Sequence, residues 1–437
     1  SKPFAWHWNW WWLLALIPVV LVAGLIVGAA VRHRRRGRDD FDHHPFEGDR
    51  YDEAQYDDAH DDDRYGRGQY EHDYGAQEHD ARTMEQVPAA DVVLSRVEDP
   101  VNGSIRSEYL TSMIEIVSGV HDSVPDAVRE MRRHLDYALS LLEPRGLTLL
   151  GLGAHPFGDP RRQLPGDKAQ YRRVTERNAW WGQQMAINGL HIHTGIDHRD
   201  KALPIVYGMA RFAPYFIALS ASSPFWIGED TRFASQRTMV FQQLPTNGLP
   251  YHMQDWAELE SYASQLEGVG LIQNPSEIRW DVRPSTWGTV ENRTMDSVPT
   301  LMELGALTAF NQCLVERMSR ALASGEPIDR LPHWFMRENK WRAARYGLSA
   351  DVITPRKDEY LIHVSDGILR WVAELTPIAE QLGCAENLAH VADLVHEGPS
   401  YLRQRRVAAA HGGDPVAVTR AVVEELRAGR PTFKEPR

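Results

Sequence analysis

The chain has 437 residues, enough for one large domain or two ordinary ones with a sizeable buried core. Its formal net charge is −12, and the only dense basic run lies within the first 38 residues, which argues against a nucleic-acid partner. Two cysteines, Cys313 and Cys384, are too few for a disulfide framework, so we expect free buried thiols in a reducing compartment.

The first predicted element is a transmembrane helix over residues 10–31. This stretch carries no charge and, at about 1.5 Å per residue, can cross a hydrocarbon core roughly 30 Å thick. Tryptophans crowd its N-terminal side, as in an interfacial aromatic belt, and five arginines follow within residues 32–38. A cleaved signal peptide is disfavoured because the charges lie on the wrong side of the apolar run. We therefore expect residues 1–38 to form a single-pass anchor in the cell membrane, with the rest of the chain in the cytoplasm.

The second predicted segment is an acidic, disordered linker over residues 39–88. Residues 39–85 contain 17 Asp and Glu against four Arg, and almost no aliphatic side chains. Such a composition buries too little apolar surface to offset chain entropy. Its His and Asp content allows loose metal binding, but a solvated spacer is the simpler interpretation. The folded domain is then expected to occupy residues 89–437.

Beyond residue 89 the pattern alternates helices with short strands. Ser123 and Pro125 mark the start of a helix that runs to Leu142. Further helices are predicted over 171–185, 205–220, 298–323 and most of 355–430, with Pro214 breaking the second of these. Strands are predicted over 147–152, 191–196, 278–283 and 289–293. Strands separated by helices, with a hairpin among them, favour an α+β fold over a parallel doubly wound sheet.

A predicted hairpin over residues 278–293 concentrates opposite charges. Asp281 and Arg283 are two residues apart and share one strand face, and Glu291 and Arg293 repeat this spacing after a Pro-Ser-Thr-Trp-Gly turn. Carboxylates are hard ligands for a cation, while guanidiniums bind phosphate or carboxylate in a bidentate manner. A solvated hairpin with cross-strand ion pairs explains the same residues equally well.

Two further pairs carry potential metal ligands. Glu108 and Glu115 would share one face of a helix but lie on opposite faces of a strand, and Glu115 sits among apolar neighbours that favour a cation or arginine partner. An ordinary surface glutamate is the alternative. His191 and His193 lie on one strand face and can chelate a metal, although structural histidines are the simpler interpretation. Because no neighbouring cysteine completes a zinc site, a zinc hydrolase is the weaker hypothesis.

Arginines outside the hairpin offer anion contacts. Arg232 and Arg237 lie in a Gly- and Pro-containing segment, and residues 337–345 place several cations on one predicted helix. A surface loop and a solvated helix face are equally good explanations. The phosphate-binding loops Gly-x-x-x-x-Gly-Lys-Ser/Thr and Gly-x-Gly-x-x-Gly do not occur, so nucleotide binding through them is not supported.

Taken together, these segments resemble the carboxylate–amine ligase family related to type 2 glutamate–cysteine ligases. The resemblance covers roughly residues 90–430 and rests on an ordered series of five segments: Gly153-Ala-His-Pro-Phe157, Gly189-Leu-His-Ile-His-Thr-Gly195, Ser223-Pro-Phe-Trp-Ile-Gly-Glu-Asp-Thr-Arg-Phe-Ala-Ser235, Trp280-Asp-Val-Arg-Pro-Ser285 and Gly288-Thr-Val-Glu-Asn-Arg293.

The resemblance implies a glutamine synthetase-like curved antiparallel sheet with flanking helices. It also implies ATP and Mg²⁺ as cofactors, small amino acids as substrates, and an acyl phosphate that an amine attacks. By the same resemblance we assign the metal-ligand positions to Glu108, Glu115, His193 and Glu291. Arg283 and Arg293 are assigned to catalysis, and Arg232, Arg237 and Arg293 to ATP binding.

One departure from the family affects the predicted activity. Family members open with a strand of the form Gly-Val/Ile-Glu-x-Glu that supplies metal-binding carboxylates, and we expect this strand to be missing here. Catalysis is then weakened or lost, or acids of the linker substitute. We therefore predict a membrane-anchored, glutamate–cysteine ligase-like enzyme, with a catalytically impaired, membrane-anchored binding or scaffold protein as the alternative. The oligomeric state, including a homo-oligomer, and the exact substrates are left open.

Overall fold

A computed structural model describes residues 70–355 and 359–432. The predicted transmembrane helix over 10–31 and the linker residues 39–69 lie outside the described residues. Among the described helices, none is by itself long and apolar enough to span a membrane. One bent pair of neighbouring helices, within residues 199–220, passes that test by length and composition, but it is mostly buried in the folded domain.

An antiparallel sheet of seven strands forms the centre of the described structure. Its path runs β2-β3-β1-β5-β9-β8, and β4 pairs with β1 beside this path. Every pairing in this sheet is antiparallel, which confirms the predicted α+β class. The strands are β1 (Tyr70–Asp80), β2 (Ile105–Ser107), β3 (Met113–Val117), β4 (Leu147–Leu150), β5 (Gly189–Gly195), β8 (Val282–Pro284) and β9 (Thr289–Asp296); two small ladders pair β6 (Phe225–Trp226) with β7 (Glu229–Asp230), and β10 (Asp351–Ile353) with β11 (Leu361–His363).

Helices flank the sheet and form most of the C-terminal half of the described chain. The predicted helix start is confirmed, because the Ser123 hydroxyl accepts the Asp126 N–H and Pro125 lies in the first turn. Pro214 lies at the start of a new helix, as predicted. The helices are α1 (Ala90–Leu94), α2 (Val124–Leu142), α3 (Ala169–Gln183), α4 (Ala202–Ala210), α5 (Ala213–Ser220), α6 (Gln236–Phe241), α7 (Trp256–Gly268), α8 (Leu301–Ala323), α9 (His333–Tyr346), α10 (Val364–Gln381), α11 (Ala385–Glu397), α12 (Ser400–Ala410) and α13 (Pro415–Ala428).

One face of the sheet packs against helices and builds the main core. Alternate residues of the inner strands, among them Ala76, Ile114 and Ile192, are fully buried in this core. The long helix α8 lies within it, with Leu307 and Phe310 fully buried. Because successive strand residues point to opposite faces, the intervening positions of β3 and β5, including those of Glu115 and His193, lie on the other face. That second face carries the polar residues singled out in the sequence.

The expectation that the first strand is missing is wrong. β1 lies between β3 and β5 and also pairs with β4, so residues 70–80 of the predicted linker form an inner strand. Its composition does not indicate a strand, because among its side chains that the structure describes, those from residue 74 onward, Tyr74 and Ala76 are the apolar ones in the core. The neighbouring strands supply most of the apolar surface that stabilises it. The chain from residue 81 to 88 also belongs to the folded domain, where Met84 is buried.

The two cysteines are free and buried, as predicted. Although 71 residues separate them, α8 and the N-terminus of α11 bring the Cys313 and Cys384 sulfurs to 3.7 Å. Both therefore behave as small apolar residues at a helix–helix contact.

Candidate functional site

The charged hairpin forms as predicted, and its carboxylate is buried between two guanidiniums. Arg283 on β8 lies opposite Glu291 on β9, and its Nε donates to Glu291 Oε2 at 2.5 Å. Arg293 Nη1 donates to the other carboxylate oxygen, Oε1. Burial alone would raise the pKa of Glu291, but Arg293 and Arg283 outweigh it and hold this pKa well below its usual range. Glu291 is therefore a permanent anion at neutral pH.

Two imidazoles from the neighbouring strand face the same carboxylate. His193 lies opposite Glu291 in the β5–β9 ladder, with its Nε2 3.8 Å from Glu291 Oε1. Its Nδ1 is 2.9 Å from Thr289 Oγ1, which orients the ring. His191 Nδ1 is 3.9 Å from the same Glu291 oxygen and 3.3 Å from Arg293 Nη1. The structure thus brings both histidines of the predicted pair to the hairpin.

A third guanidinium, that of Arg237, contacts the backbone of the hairpin. It lies on α6, is 3% exposed, and donates through Nη1 to the Arg293 carbonyl at 3.3 Å. Burial lowers the pKa of Arg237 to about 10, and the Arg293 charge acts in the same direction. The buried Nε atoms of Arg237 and Arg293 have no hydrogen-bond partner within the described residues. Two unsatisfied, positively charged donors next to each other favour an anion.

Asp296, a buried carboxylate at the end of β9, contacts other segments on which the family resemblance rests. Asp296 accepts the Ser222 N–H at 3.0 Å and the hydroxyls of Ser223 and Ser235, each at 2.7 Å. A Cβ atom at Gly153 would lie 2.6 Å from the Asp296 side chain, so this position requires glycine. The family-resemblance segments 153–157 and 223–235 therefore meet at Asp296, which follows the segment 288–293 on β9 and which sequence reasoning missed.

Glu115, another predicted metal position, lies elsewhere on the sheet. Glu115 on β3 is opposite Gly75 of β1, whereas His193 on β5 is opposite residue 71. Four residues along a strand correspond to about 13 Å, so Glu115 and His193 are too far apart to bind one ion. Glu108 follows β2 and its carboxylate accepts the Tyr109 N–H. In the part of the chain that the structure describes, no group of three or more His, Cys, Asp or Glu residues is arranged to hold a metal ion.

The predicted ATP contact at Arg232 is likewise separate from the hairpin. Arg232 is exposed, has a left-handed φ of 62°, and donates its backbone N–H to Asp230 at 2.8 Å. Its carbonyl oxygen accepts from Arg345 of α9. Within residues 70–355 and 359–432, no contact joins it to Arg237 or Arg293. The structure therefore unites the predicted residues Arg237, Arg283, Arg293, His193 and Glu291, and places Arg232 and Glu115 apart from them.

The register of β1 places two acids of the predicted linker in the row of the candidate site. Glu71 lies opposite His193, and Asp73 lies opposite His191. Farther along the strand, Gly75-Ala-Gln-Glu-His79 has the glycine and apolar residue of the family's opening strand, but Gln77 and His79 occupy its two acidic positions. Both side chains, and that of Glu78 between them, are fully buried without a hydrogen-bond partner among the described residues.

Sequence comparison relates the chain to a known protein family. The model of the family described as glutamate–cysteine ligase family 2 (GCS2) matches residues 73–424, so the match begins inside β1. The chain is 44% identical over 358 residues to "Putative glutamate--cysteine ligase 2-2" of Paenarthrobacter aurescens (strain TC1), covering 80% of this chain and 93% of that one. It is 42% identical over 348 residues to "Putative glutamate--cysteine ligase 2" of Mycobacterium tuberculosis (strain ATCC 25177 / H37Ra), covering 79% and 92%.

Solved structures show a similar fold at low sequence identity. Glutamate–cysteine ligase from Francisella tularensis, in complex with AMP, superposes with a TM-score of 0.62 at 12% identity, covering 83% of this chain and 89% of that one. A bifunctional glutathione synthetase from Pasteurella multocida gives a TM-score of 0.59 at 14% identity, covering 84% and 53%. The described domain is therefore a mixed α+β structure with an antiparallel sheet and flanking helices, similar to the glutamate–cysteine ligase fold.

Proposed function

Because the chain belongs to glutamate–cysteine ligase family 2, we propose that it is an ATP-dependent ligase that joins the carboxylate of glutamate to the amine of cysteine. The observation that carries this proposal is the buried Glu291 held between Arg283 and Arg293, with His193 opposite it and Arg237 behind it. The sheet face around these residues collects cationic donors for anionic substrates.

The arginines suit a reaction that proceeds through an acyl phosphate. A carboxylate oxygen attacks the γ-phosphorus of ATP, the bond to the bridging oxygen breaks, and ADP leaves. The neutral amine then attacks the acyl carbon, inorganic phosphate leaves as the amide forms, and the proton lost by the amine passes to the phosphate or to solvent. Both reactants of the first step are anions, so Arg283 and Arg293 would lower their repulsion and stabilise charge on the transferring group. Neither step requires a nucleophilic side chain.

The described side chains do not by themselves fit a magnesium ion. Hard cations take several oxygen ligands, whereas Glu291 is the one described acid beside His193 and is already paired with two arginines. The family's use of Mg²⁺ nevertheless supports a magnesium requirement. Glu71 and Asp73 are the positions at which further magnesium ligands can be tested, because their backbone lies opposite His193 and His191. Glu108 and Glu115 remain candidates for a separate position on the sheet.

A substitution on β1 tests this assignment. Glu71→Gln should raise the magnesium concentration needed for half-maximal ADP release at least tenfold. Glu85→Gln removes the same charge from an exposed position outside the strand and should leave the magnesium dependence unchanged. Equal magnesium dependence of the two variants would remove Glu71 from the site.

The decisive experiment on the ligase measures product formation by the full chain. ADP release should require ATP, Mg²⁺, glutamate and cysteine together, with one dipeptide formed for each ADP. Replacing cysteine with other amino acids, and glutamate with aspartate, then defines both substrates. ATP hydrolysis that is independent of the two amino acids, with no dipeptide detected by mass spectrometry, would overturn the proposal.

A catalytically impaired binding or scaffold protein is the second candidate. It is favoured by Gln77 and His79, which stand where the family's opening strand carries two acids. Under this hypothesis isothermal titration detects binding of ATP or glutamate to the full chain, while no ADP is released under any substrate combination. ADP release coupled to dipeptide formation would exclude it.

We also propose that residues 10–31 anchor the protein in the cell membrane, with the ligase domain in the cytoplasm. The uncharged apolar run and the arginines that follow it support this topology. The full chain should remain with membranes after an alkaline carbonate wash, and a chain lacking residues 1–38 should not. Release of both chains by the wash would contradict the anchor.

A further inference from the structure

A buried ion pair connects helix α9 to the charged hairpin. Lys340 Nζ lies 2.6 and 2.9 Å from the two carboxylate oxygens of Asp281. Lys340 is 4% exposed and Asp281 is 1% exposed, so neither charge is solvated. The sequence predicts that the cations of residues 337–345 bind an anion or form a solvated helix face, but Lys340 is paired with an internal carboxylate. A lysine and an aspartate buried as a pair require a specific geometry to be tolerated.

Asp281 is also tied to the backbone on both sides of the site. Its N–H donates to the Gly248 carbonyl at 2.6 Å, and its own carbonyl accepts the Arg293 N–H at 2.7 Å. Arg283, which holds Glu291, follows two residues later in the chain. The position of Asp281 therefore determines where the backbone of both Glu291-binding arginines lies.

Helix α9 is itself anchored to two other segments. Asn339 accepts the Ile353 N–H at 2.7 Å and donates to the Ile353 carbonyl at 2.8 Å, which ties the helix to β10. The Ala344 carbonyl accepts the N–H groups of Ala234 and Ser235 at 2.8 and 3.0 Å. Ser235 caps α6, the helix that carries Arg237. Helix α9 therefore contacts the segments that position all three arginines of the candidate site.

We infer that Lys340 and Asp281 are positioning residues that hold Arg283 and Arg293 in register with bound substrate. This inference rests on the proposed ligase function for its kinetic consequence, but its structural consequence can be measured independently. Lys340 contacts neither Glu291 nor Arg293 directly, and acts on them through Asp281.

The kinetic test compares two buried cations in the full chain. Lys340→Met should lower kcat for ADP release about 100-fold per folded molecule, as expected when reacting groups are misplaced by roughly 1 Å. The KM for cysteine should change less than twofold, whereas a general loss of structure would not separate kcat from KM. Arg403→Met provides the matched control, because Arg403 is also a buried, doubly paired cation but lies in a separate ion cluster. It should lower the folded fraction without lowering kcat per folded molecule.

Two further variants keep the test valid if Lys340→Met folds poorly. Lys340→Arg preserves the charge and should recover at least a tenth of the wild-type kcat. Asp281→Asn combined with Lys340→Met removes both charges, so no unpaired charge stays buried, and it should fold yet keep the low kcat. A wild-type kcat in the double variant, or equal losses in Lys340→Met and Arg403→Met, would overturn the inference.

Hydrogen exchange of the Arg293 amide separates this inference from the ligase proposal. Lys340→Met should speed exchange of the Arg293 amide at least tenfold more than it speeds exchange of other strand amides, whereas Arg403→Met, which acts through overall stability, should speed them all alike. If the amide responds in this way and the wild-type chain releases no ADP, the positioning role stands and the ligase proposal fails. Unchanged exchange in folded Lys340→Met would refute the positioning role whatever the activity.

Discussion

The sequence predicts Glu291 as a charged residue of the site, and its contacts in the folded domain determine what that charge does. The carboxylate is 1% exposed and held by Arg283 and Arg293, so its negative charge is retained despite burial. The cross-strand ion pairs that were one explanation of the hairpin are therefore real. They also keep two guanidiniums preorganised next to Arg237, which has a buried unsatisfied donor.

Replacing Glu291 with Gln should reduce turnover at least 100-fold. The neutral amide leaves two partly buried guanidiniums without their counter-charge and replaces one of the two carboxylate oxygens with an NH2 group. Glu260→Gln, at an exposed acid paired with Arg199, is the control and should retain wild-type activity. ADP release under saturating substrates measures both variants, and unchanged turnover in Glu291→Gln would contradict the assigned site.

Glu78 is a second buried carboxylate, with the opposite environment. It is fully buried and neither oxygen has a hydrogen-bond partner among the described residues. Burial raises the pKa of Glu78 well above its ordinary value of 4.5. The side chain is therefore neutral in the folded state over a range of pH in which the unfolded chain is ionised.

The pH dependence of stability should reveal this raised pKa. An acid whose folded pKa exceeds its unfolded pKa contributes full stability below pH 4.5, and this contribution is lost as pH rises toward the folded pKa. Glu78→Gln cannot ionise, so its stability advantage over the wild type should grow with pH from pH 5 to pH 8. Urea unfolding at several pH values measures it; a constant difference would mean that Glu78 is paired in solution.

At the scale of elements, a buried ion cluster joins three helices of the C-terminal half. Arg403 of α12 binds Glu303 of α8 at 2.8 Å and Glu425 of α13 at 2.8 Å. The arginine is 2% exposed, and its Nη1 also donates to the Gly398 carbonyl at 2.8 Å. These contacts fix the position of α12. The Gln404 side chain of this helix donates to the Ser222 carbonyl, and the Ser222 N–H donates to Asp296.

Arg403→Met should destabilise the fold by about 3–5 kcal/mol, because it leaves two buried carboxylates without their cation. Glu303 already has a pKa raised by burial, and loss of Arg403 removes the charge that opposes this shift. Denaturant unfolding measures the change in free energy. Breaking an exposed ion pair, by Arg317→Met beside Glu374, should change the free energy of unfolding by less than about 1 kcal/mol. Similar losses in the two variants would show that the cluster is not the main support of α12.

At the scale of the whole molecule, the order of strands determines where the folded domain begins. β1 is the inner strand that joins β3 and β4 to β5, so the sheet is continuous only if residues 70–80 take part. The domain start predicted at residue 89 would divide that sheet. The family match from residue 73 points the same way.

Truncation should distinguish these two boundaries. A chain that begins at residue 70 should show one cooperative thermal unfolding transition. A chain that begins at residue 89 lacks the backbone partners of β3, β4 and β5, and should not fold cooperatively. Circular dichroism on heating measures both. A cooperative transition in the shorter chain would contradict the central role of β1.

Helices and the charged hairpin follow from local information in the sequence. Ser123 and Pro125 indicate the start of α2, and Pro214 indicates a helix break. Both signals are local, because capping and the missing proline N–H act within a few residues. The charged residues of 281–293 are likewise spaced two apart along each strand, which is a local pattern. Residue spacing and family resemblance together identified Glu291, Arg293 and His193, which the sheet then placed side by side.

Pairing between distant segments could be decided only by the tertiary structure. The polar strand β1 has almost no periodic apolar signal of its own and is stabilised by β3 and β5, so its composition resembles a linker. The separation of Glu115 from His193 likewise depends on strand register, and Lys340 meets Asp281 across 59 residues of chain. Sequence by itself determined the family, the helices and the charged hairpin; the tertiary structure decided which charges meet, because register and burial are set by contacts that no local pattern contains.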